Sequence, residues 1–200
     1  MRIYFLMFMI GLSTSTYSQN DAFWSFRFGW GPVFPDADQL VGANSPNGIN
    51  ISAGMSYCFN PRIYADIGLH FDYFTDDQRR DYKTHIIIFS PVAEFRLYAL
   101  PARSRISPYL IGGFAPSLYV NTSPLEEQNG EFDPYSSSRN YDIQVGYSLK
   151  YGLGSNISLG EGFILWFEWR YNRFGFLNNR DPVLYRILML GILMDVEWIF

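Results

Sequence analysis

The chain has 200 residues, a net charge of −4, 17% charged residues and 19% aromatic residues. That length suits one domain, the ring content is far above ordinary usage, and the mild acidity excludes a nucleic-acid footprint and a polybasic membrane patch. The single cysteine, Cys58, excludes an internal disulfide and a thiolate metal cluster.

The N-terminus, "MRIYFLMFMIGLSTSTYSQN", places Arg2 before an apolar stretch from Ile3 to Leu12 and a small, polar segment ending at Ser18. This is the pattern of a secretory signal peptide over residues 1–18, with Thr16 and Ser18 at the small-residue positions and Gln19 opening the mature chain. A retained membrane helix needs a longer apolar run. No cysteine stands near the cut, which argues against a lipid anchor, and export without disulfides suits a bacterial envelope protein.

Residues 19–200 then read as one domain of eight alternating segments, each long enough to cross a bilayer as a tilted strand of about 9–11 residues. In the first, Phe23 to Phe34, Trp24, Phe26, Phe28 and Trp30 oppose Ser25, Arg27, Gly29 and Gly31. The second, Ile49 to Phe59, sets Ile49, Ile51, Ala53, Met55 and Tyr57 against Asn50, Ser52, Gly54, Ser56 and Cys58. The third, Ile63 to Phe74, sets Ile67, Leu69, Phe71 and Tyr73 against Tyr64, Asp66, Gly68, His70 and Asp72.

In the fourth, His85 to Ala99, Phe89, Ala93, Phe95 and Leu97 oppose Ser90, Glu94, Arg96 and Tyr98, and Pro91 predicts a bulge or a missing ladder bond. The fifth, Pro108 to Val120, is glycine-rich and leaves its register open. The sixth, Tyr141 to Leu153, alternates Ile143, Val145, Tyr147, Leu149, Tyr151 and Leu153 with Gln144, Gly146, Ser148, Lys150 and Gly152. In the seventh, Phe163 to Phe174, Leu165, Phe167, Trp169 and Tyr171 oppose Glu168, Arg170 and Asn172. The eighth, Leu184 to Phe200, sets Leu188, Leu190, Ile192, Met194, Val196, Trp198 and Phe200 against Gly191, Asp195 and Glu197.

Connections alternate too. Long ones are Pro35 to Gly48, "DDQRRDYKT", "NTSPLEEQNGEFDPYSSSRN" and "GFLNNRDP"; compact ones are "NPR", "PARSRIS" and "GSNISLGEG". Loops at one end and turns at the other are the asymmetry of an outer-membrane barrel with both termini periplasmic. A soluble sandwich or lipocalin-like barrel alternates as well, with its polar face outside. Three features favour the membrane. Rings gather at segment ends, in one girdle of Trp24, Tyr57, Phe59, Trp198 and Phe200 and another of Trp30, Phe71, Tyr73, Tyr119 and Tyr171. Charges of both signs fall in mid-segment on the opposite face, where they can pair across a narrow lumen. Closure removes the unpaired edges that lipid would not tolerate.

The expected fold is therefore all-β, an eight-stranded antiparallel up-and-down transmembrane β-barrel. Its lumen is expected to hold a polar cluster of Arg27, Asp66, His70, Asp72, Glu94, Arg96, Lys150, Glu168, Arg170, Asp195 and Glu197. Inward glycines, Gly29, Gly54, Gly68, Gly146 and Gly191, leave room for a small solute.

The pattern resembles the eight-stranded outer-membrane barrels of the OmpA/OmpX type, and in particular the PorT-like outer-membrane protein family of Bacteroidetes. Local matches are "IIIFSPVAEFRLYA", similar to that family's fourth strand, and "YDIQVGYSLKY", similar to its sixth. The ending "MDVEWIF" resembles the signal read by the barrel-assembly machinery, with Met194, Val196, Trp198 and Phe200 on one face. The longer N-terminal region of secretion-linked members is absent from this sequence.

Chemistry is sparse. His70 lies mid-strand between Asp66 and Asp72, a hydrogen-bonded cluster more than a metal site, and His85 has no serine beside it. Glu168 with Arg170 and Glu94 with Arg96 offer carboxylates for catalysis, but ion-pair ladders plugging a small barrel are the favoured reading, because its interior is just wide enough for side chains. No cofactor or metal is expected. The leading expectation is a non-enzymatic envelope protein with a structural or binding role through its surface loops, as an accessory subunit of an outer-membrane complex. A passive channel for small or apolar solutes is the second reading and a lipid-modifying enzyme the third. Expected partners are outer-membrane lipid and lipopolysaccharide, the barrel-assembly machinery during biogenesis and an envelope protein complex, with no nucleic acid.

Overall fold

A computed structural model of the chain describes residues 24–35, 48–79, 82–124, 139–160, 162–178 and 181–195. They form the strands β1 (Trp24–Pro35), β2 (Gly48–Asn60), β3 (Ile63–Arg79), β4 (Tyr82–Tyr98), β5 (Ile106–Pro124), β6 (Arg139–Gly160), β7 (Phe163–Phe176) and β8 (Val183–Asp195). Each strand pairs antiparallel with its sequence neighbours, and β1 closes on β8 from Ser25↔Asp195 to Pro35↔Tyr185, so the sheet is a closed barrel in chain order. The segment read as a signal peptide, and Val196, Glu197, Trp198 and Phe200, lie outside the described residues.

The strands outrun their expected limits. β3 and β4 stay paired to Arg79↔Tyr82, so much of "DDQRRDYKT" is strand and not loop. β6 reaches 22 residues because Asn156 is flanked by Ser107 on β5 and Trp166 on β7, and the ladder draws the turn-rich "GSNISLG" into the sheet. β7 begins at Phe163, and Gly160 and Gly162, at φ of 151° and 76°, have backbone that favours glycine. At this turn end, the β4–β5 connection folds over the β2–β3 turn through a bond from Ala102 N to Pro61 O of 2.8 Å.

Pro91 produces a gap and not a bulge. The β4–β5 pairs run to Phe89↔Leu118 and resume at Ala93↔Phe114 in the same register, which sets Pro91 opposite Pro116, two residues without an N–H.

Alternation resolves into an apolar outside and a mixed inside. Phe28, Trp30, Phe95 and Ile143 are 49%, 53%, 62% and 62% exposed, while Arg27, Asp66, Glu94 and Arg96 are buried on the other face. A soluble barrel has the reverse polarity, and an outward row of large apolar side chains on every strand is stabilised only by hydrocarbon. Tyr119, expected in a girdle, is an inward residue, 6% exposed and stacked on Phe174 at 5.5 Å. Toward the loop end the interior is itself apolar: Val33, Phe74, Ile86, Ile88, Tyr119, Phe174, Tyr185, Ile187 and Met189 belong to one buried cluster.

Candidate functional site

The register of four strands builds a ring of ions in the turn-end half of the lumen. Asp66 and Glu94 are opposite each other on β3 and β4; Glu168 and Arg170 follow on the inward face of β7, and Arg27 on that of β1. Arg27 is the hub. Its guanidinium donates to Asp66 Oδ2 at 3.4 Å, lies 3.7 Å from Glu94 Oε2 and donates to Glu168 Oε1. Arg96 donates to Asp66 through Nε at 2.6 Å and Nη2 at 2.5 Å, and Arg170 to Glu94 through Nη1 at 2.6 Å and Nη2 at 3.0 Å. Arg170 Nε closes the circuit on Glu168 Oε2 at 2.5 Å. Three arginines thus neutralise three carboxylates, none more than 7% exposed. Paired forks of this kind are strong, and such ions are tolerated out of water only when paired.

Side chains not anticipated from sequence complete the ring. Tyr109 donates to Glu168 at 2.5 Å; Arg96 donates to Tyr98 OH at 2.7 Å and Ser56 Oγ at 2.6 Å; Asn156 donates to Tyr98 OH at 3.0 Å. Trp166 lies beneath the Arg27 guanidinium at 3.8 Å from ring centroid to carbon, a cation–π contact. Inward placement of Trp166 was readable from its position beside Phe167 and Glu168, but its partner across the barrel was not.

The remaining expected lumen residues separate into different sites. Asp72 sits loop-ward, accepting from Asn50 Nδ2 at 2.5 Å and Tyr185 OH at 2.8 Å. Asp195 is at the turn end, bound to Ser25 at 3.0 Å and Arg103 at 2.8 Å. His70 and Lys150 are buried between these levels, with His70 Nε2 3.9 Å from Glu94, and neither His70 Nδ1 nor Lys150 Nζ has a hydrogen-bond partner among the described residues. Glu197 lies outside the described residues, and Met194 is half-buried on the outward row of β8, opposite Phe26 and Phe163.

Of the inward glycines, Gly29, Gly146 and Gly191 are spaces filled by side chains, while Gly54 and Gly68 lie against each other's backbone. Gly29 and Gly191 face each other across β1 and β8, and a Cβ on either would overlap the Trp166 ring. Gly146 is covered by Phe174, and Gly154 makes room for Tyr109 and Glu168. A cavity of about 20 Å³ between Arg27, Ser52, Gly54, Asp66, Gly68, His70 and Glu94 has room for one water. His85 faces outward and shares a 2.7 Å hydrogen bond with Tyr73 OH, while Ser90, Ser117 and Ser148 bond to one another at 2.7 and 2.8 Å. Among the described residues no group of His, Cys, Asp and Glu is arranged to hold a metal ion.

Solved structures share the fold of the closed eight-stranded barrel. The chain is similar to Neisserial surface protein A, NspA, at 13% identity over 86% of this chain and 96% of that one, with a TM-score of 0.58. The fold is that of the small outer-membrane barrels. It is similar also to Ail of Yersinia pestis, at 11% identity, 87% and 98% coverage and a TM-score of 0.54. The N-terminal barrel of Pseudomonas aeruginosa OprF follows, at 11% identity, 88% and 99% coverage and a TM-score of 0.50. No known family and no curated protein sequence matches the chain.

Proposed function

We propose that this protein is a non-enzymatic integral barrel of the bacterial outer membrane that acts through its surface loops, as a structural or binding element and accessory subunit of an envelope complex. The observation that carries this reading is the filled interior: a neutral ring of six paired ions, with Trp166 against Gly29 and Gly191 and an apolar plug loop-ward of it. A lumen so occupied leaves the loop end as the surface free for contacts. The finer kinship with PorT-like barrels belongs to the same proposal and rests on "IIIFSPVAEFRLYA" and "YDIQVGYSLKY".

Photo-crosslinkers placed in residues 36–47 and 125–138 of the protein in intact cells test it. Discrete crosslinked partners, with planar-bilayer conductance at the level of bare lipid and unchanged acylation of the cells' lipid A, are the expected results. Stepwise conductance would replace the reading by the channel, and altered acylation by the enzyme.

A further inference from the structure

Among strand residues with described side chains, Arg173 on β7 and Arg186 on β8 are the Lys, Arg, Asp or Glu residues of the outward face; every other outward position is uncharged. They are diagonal neighbours, because Tyr171 pairs with Arg186 and Arg173 with Leu184. Neither forms an ion pair or hydrogen bond with another described residue. Two like charges this close on an apolar wall repel each other unless an anion lies between them.

Their depth identifies the anion. Tyr171 stacks on Tyr151 at 5.6 Å and meets Trp169 at 6.3 Å, and Trp169 meets Phe34 at 6.0 Å, which makes a belt of rings at the level where hydrocarbon gives way to head groups. Arg186 is level with Tyr171 and Phe34, and Arg173 is one outward position closer to the loop end. Both line a groove of about 470 Å³ that also has Tyr151, Tyr171 and Leu184 in its wall. The guanidinium fork fits phosphate oxygens in pairs, and basic sites beside membrane-spanning elements take phosphorylated head groups. From this placement we infer that Arg173 and Arg186 form a binding site for the phosphorylated head group of a lipid in the leaflet at the loop end.

The inference rests on the membrane-barrel reading, so the test separates the two. Full-length protein is folded in detergent and checked for a gel mobility shift on boiling. It is then mixed with a diphosphorylated glucosamine-disaccharide lipid, the same lipid dephosphorylated, or inorganic phosphate, and bound species are counted by native mass spectrometry. The expected result is retention of the phosphorylated lipid at least tenfold above the dephosphorylated one, with that preference lost in R173Q/R186Q and no competition from equimolar inorganic phosphate. Equal retention of the two lipids by the wild type overturns the site even if the double variant fails to fold. Undiminished preference in a folded double variant does so too, and competition by free phosphate reassigns the ligand and overturns the lipid. Absence of the heat shift in the wild type overturns the barrel reading itself.

Discussion

Replacing Arg27 by leucine removes the one guanidinium shared by Asp66, Glu94 and Glu168 and leaves three carboxylates facing two arginines. Removing one partner from a buried ion network leaves an uncompensated charge, so R27L is expected to lower unfolding stability by about 3–5 kcal/mol. Were the lumen a hydrated pore, water would screen the same pair and the loss would be about 0.2–1 kcal/mol. The size of the effect therefore reports whether the interior is dry. E168Q in the R27L background removes the excess negative charge, and a double-mutant cycle is expected to return a coupling of about 1–3 kcal/mol, as for residues sharing one network. Urea unfolding in lipid vesicles, followed by tryptophan emission and by the folded band on unboiled gels, supplies all four corners. A loss under about 1 kcal/mol for R27L, or strict additivity with E168Q, would refute a closed, mutually dependent ring.

Gly29→Ala places a methyl group in the Trp166 ring and is expected to cost about 1–3 kcal/mol in the same unfolding assay. Trp166→Leu should make that alanine tolerable, a rescue that a flexible or open wall would not produce. Leu190, 47% exposed on the outward face of β8, is expected to lose about 2–4 kcal/mol as lysine because its neighbour is hydrocarbon. Near-neutrality of L190K in vesicles would place that face in water.

The two rows of β1, β2, β3 and β6 are legible because each strand alternates rings or aliphatic groups with polar or small residues, and the end-of-strand rings and mid-strand charges tell which row faces outward. β8 was half legible. In "LYRILMLGILM" both faces are apolar, so the sequence shows a strand without showing that Tyr185, Ile187, Met189 and Leu193 fill the interior. Tyr119 is hard to place from sequence because Gly112, Gly113 and Pro116 blur the period of β5, and its pairing with Ile88 on β4 and Gln144 on β6 fixes its side. Gly29 and Gly191 look like open space in the sequence for a physical reason: a glycine states that something comes close but not which strand sends it, and Trp166 arrives from β7 to fill a gap between β1 and β8. Likewise, alternation put Arg27, Asp66, Glu94, Arg96, Glu168 and Arg170 on inward rows, while their division from Asp72 and Asp195 depends on stagger between distant strands, which no local pattern records.

The central claim is that the aromatic rows face hydrocarbon while the charged rows face inward. Fluorescence of a variant whose sole tryptophan is Trp30, reconstituted in vesicles of lipid with brominated acyl chains, tests it directly, since Trp30 is half-exposed on the outward row of β1. The account predicts strong quenching of Trp30 by the brominated chains, and much weaker quenching of a variant that keeps only Trp166. Trp30 emission unchanged by bromination, or Trp166 quenched more than Trp30, would contradict it.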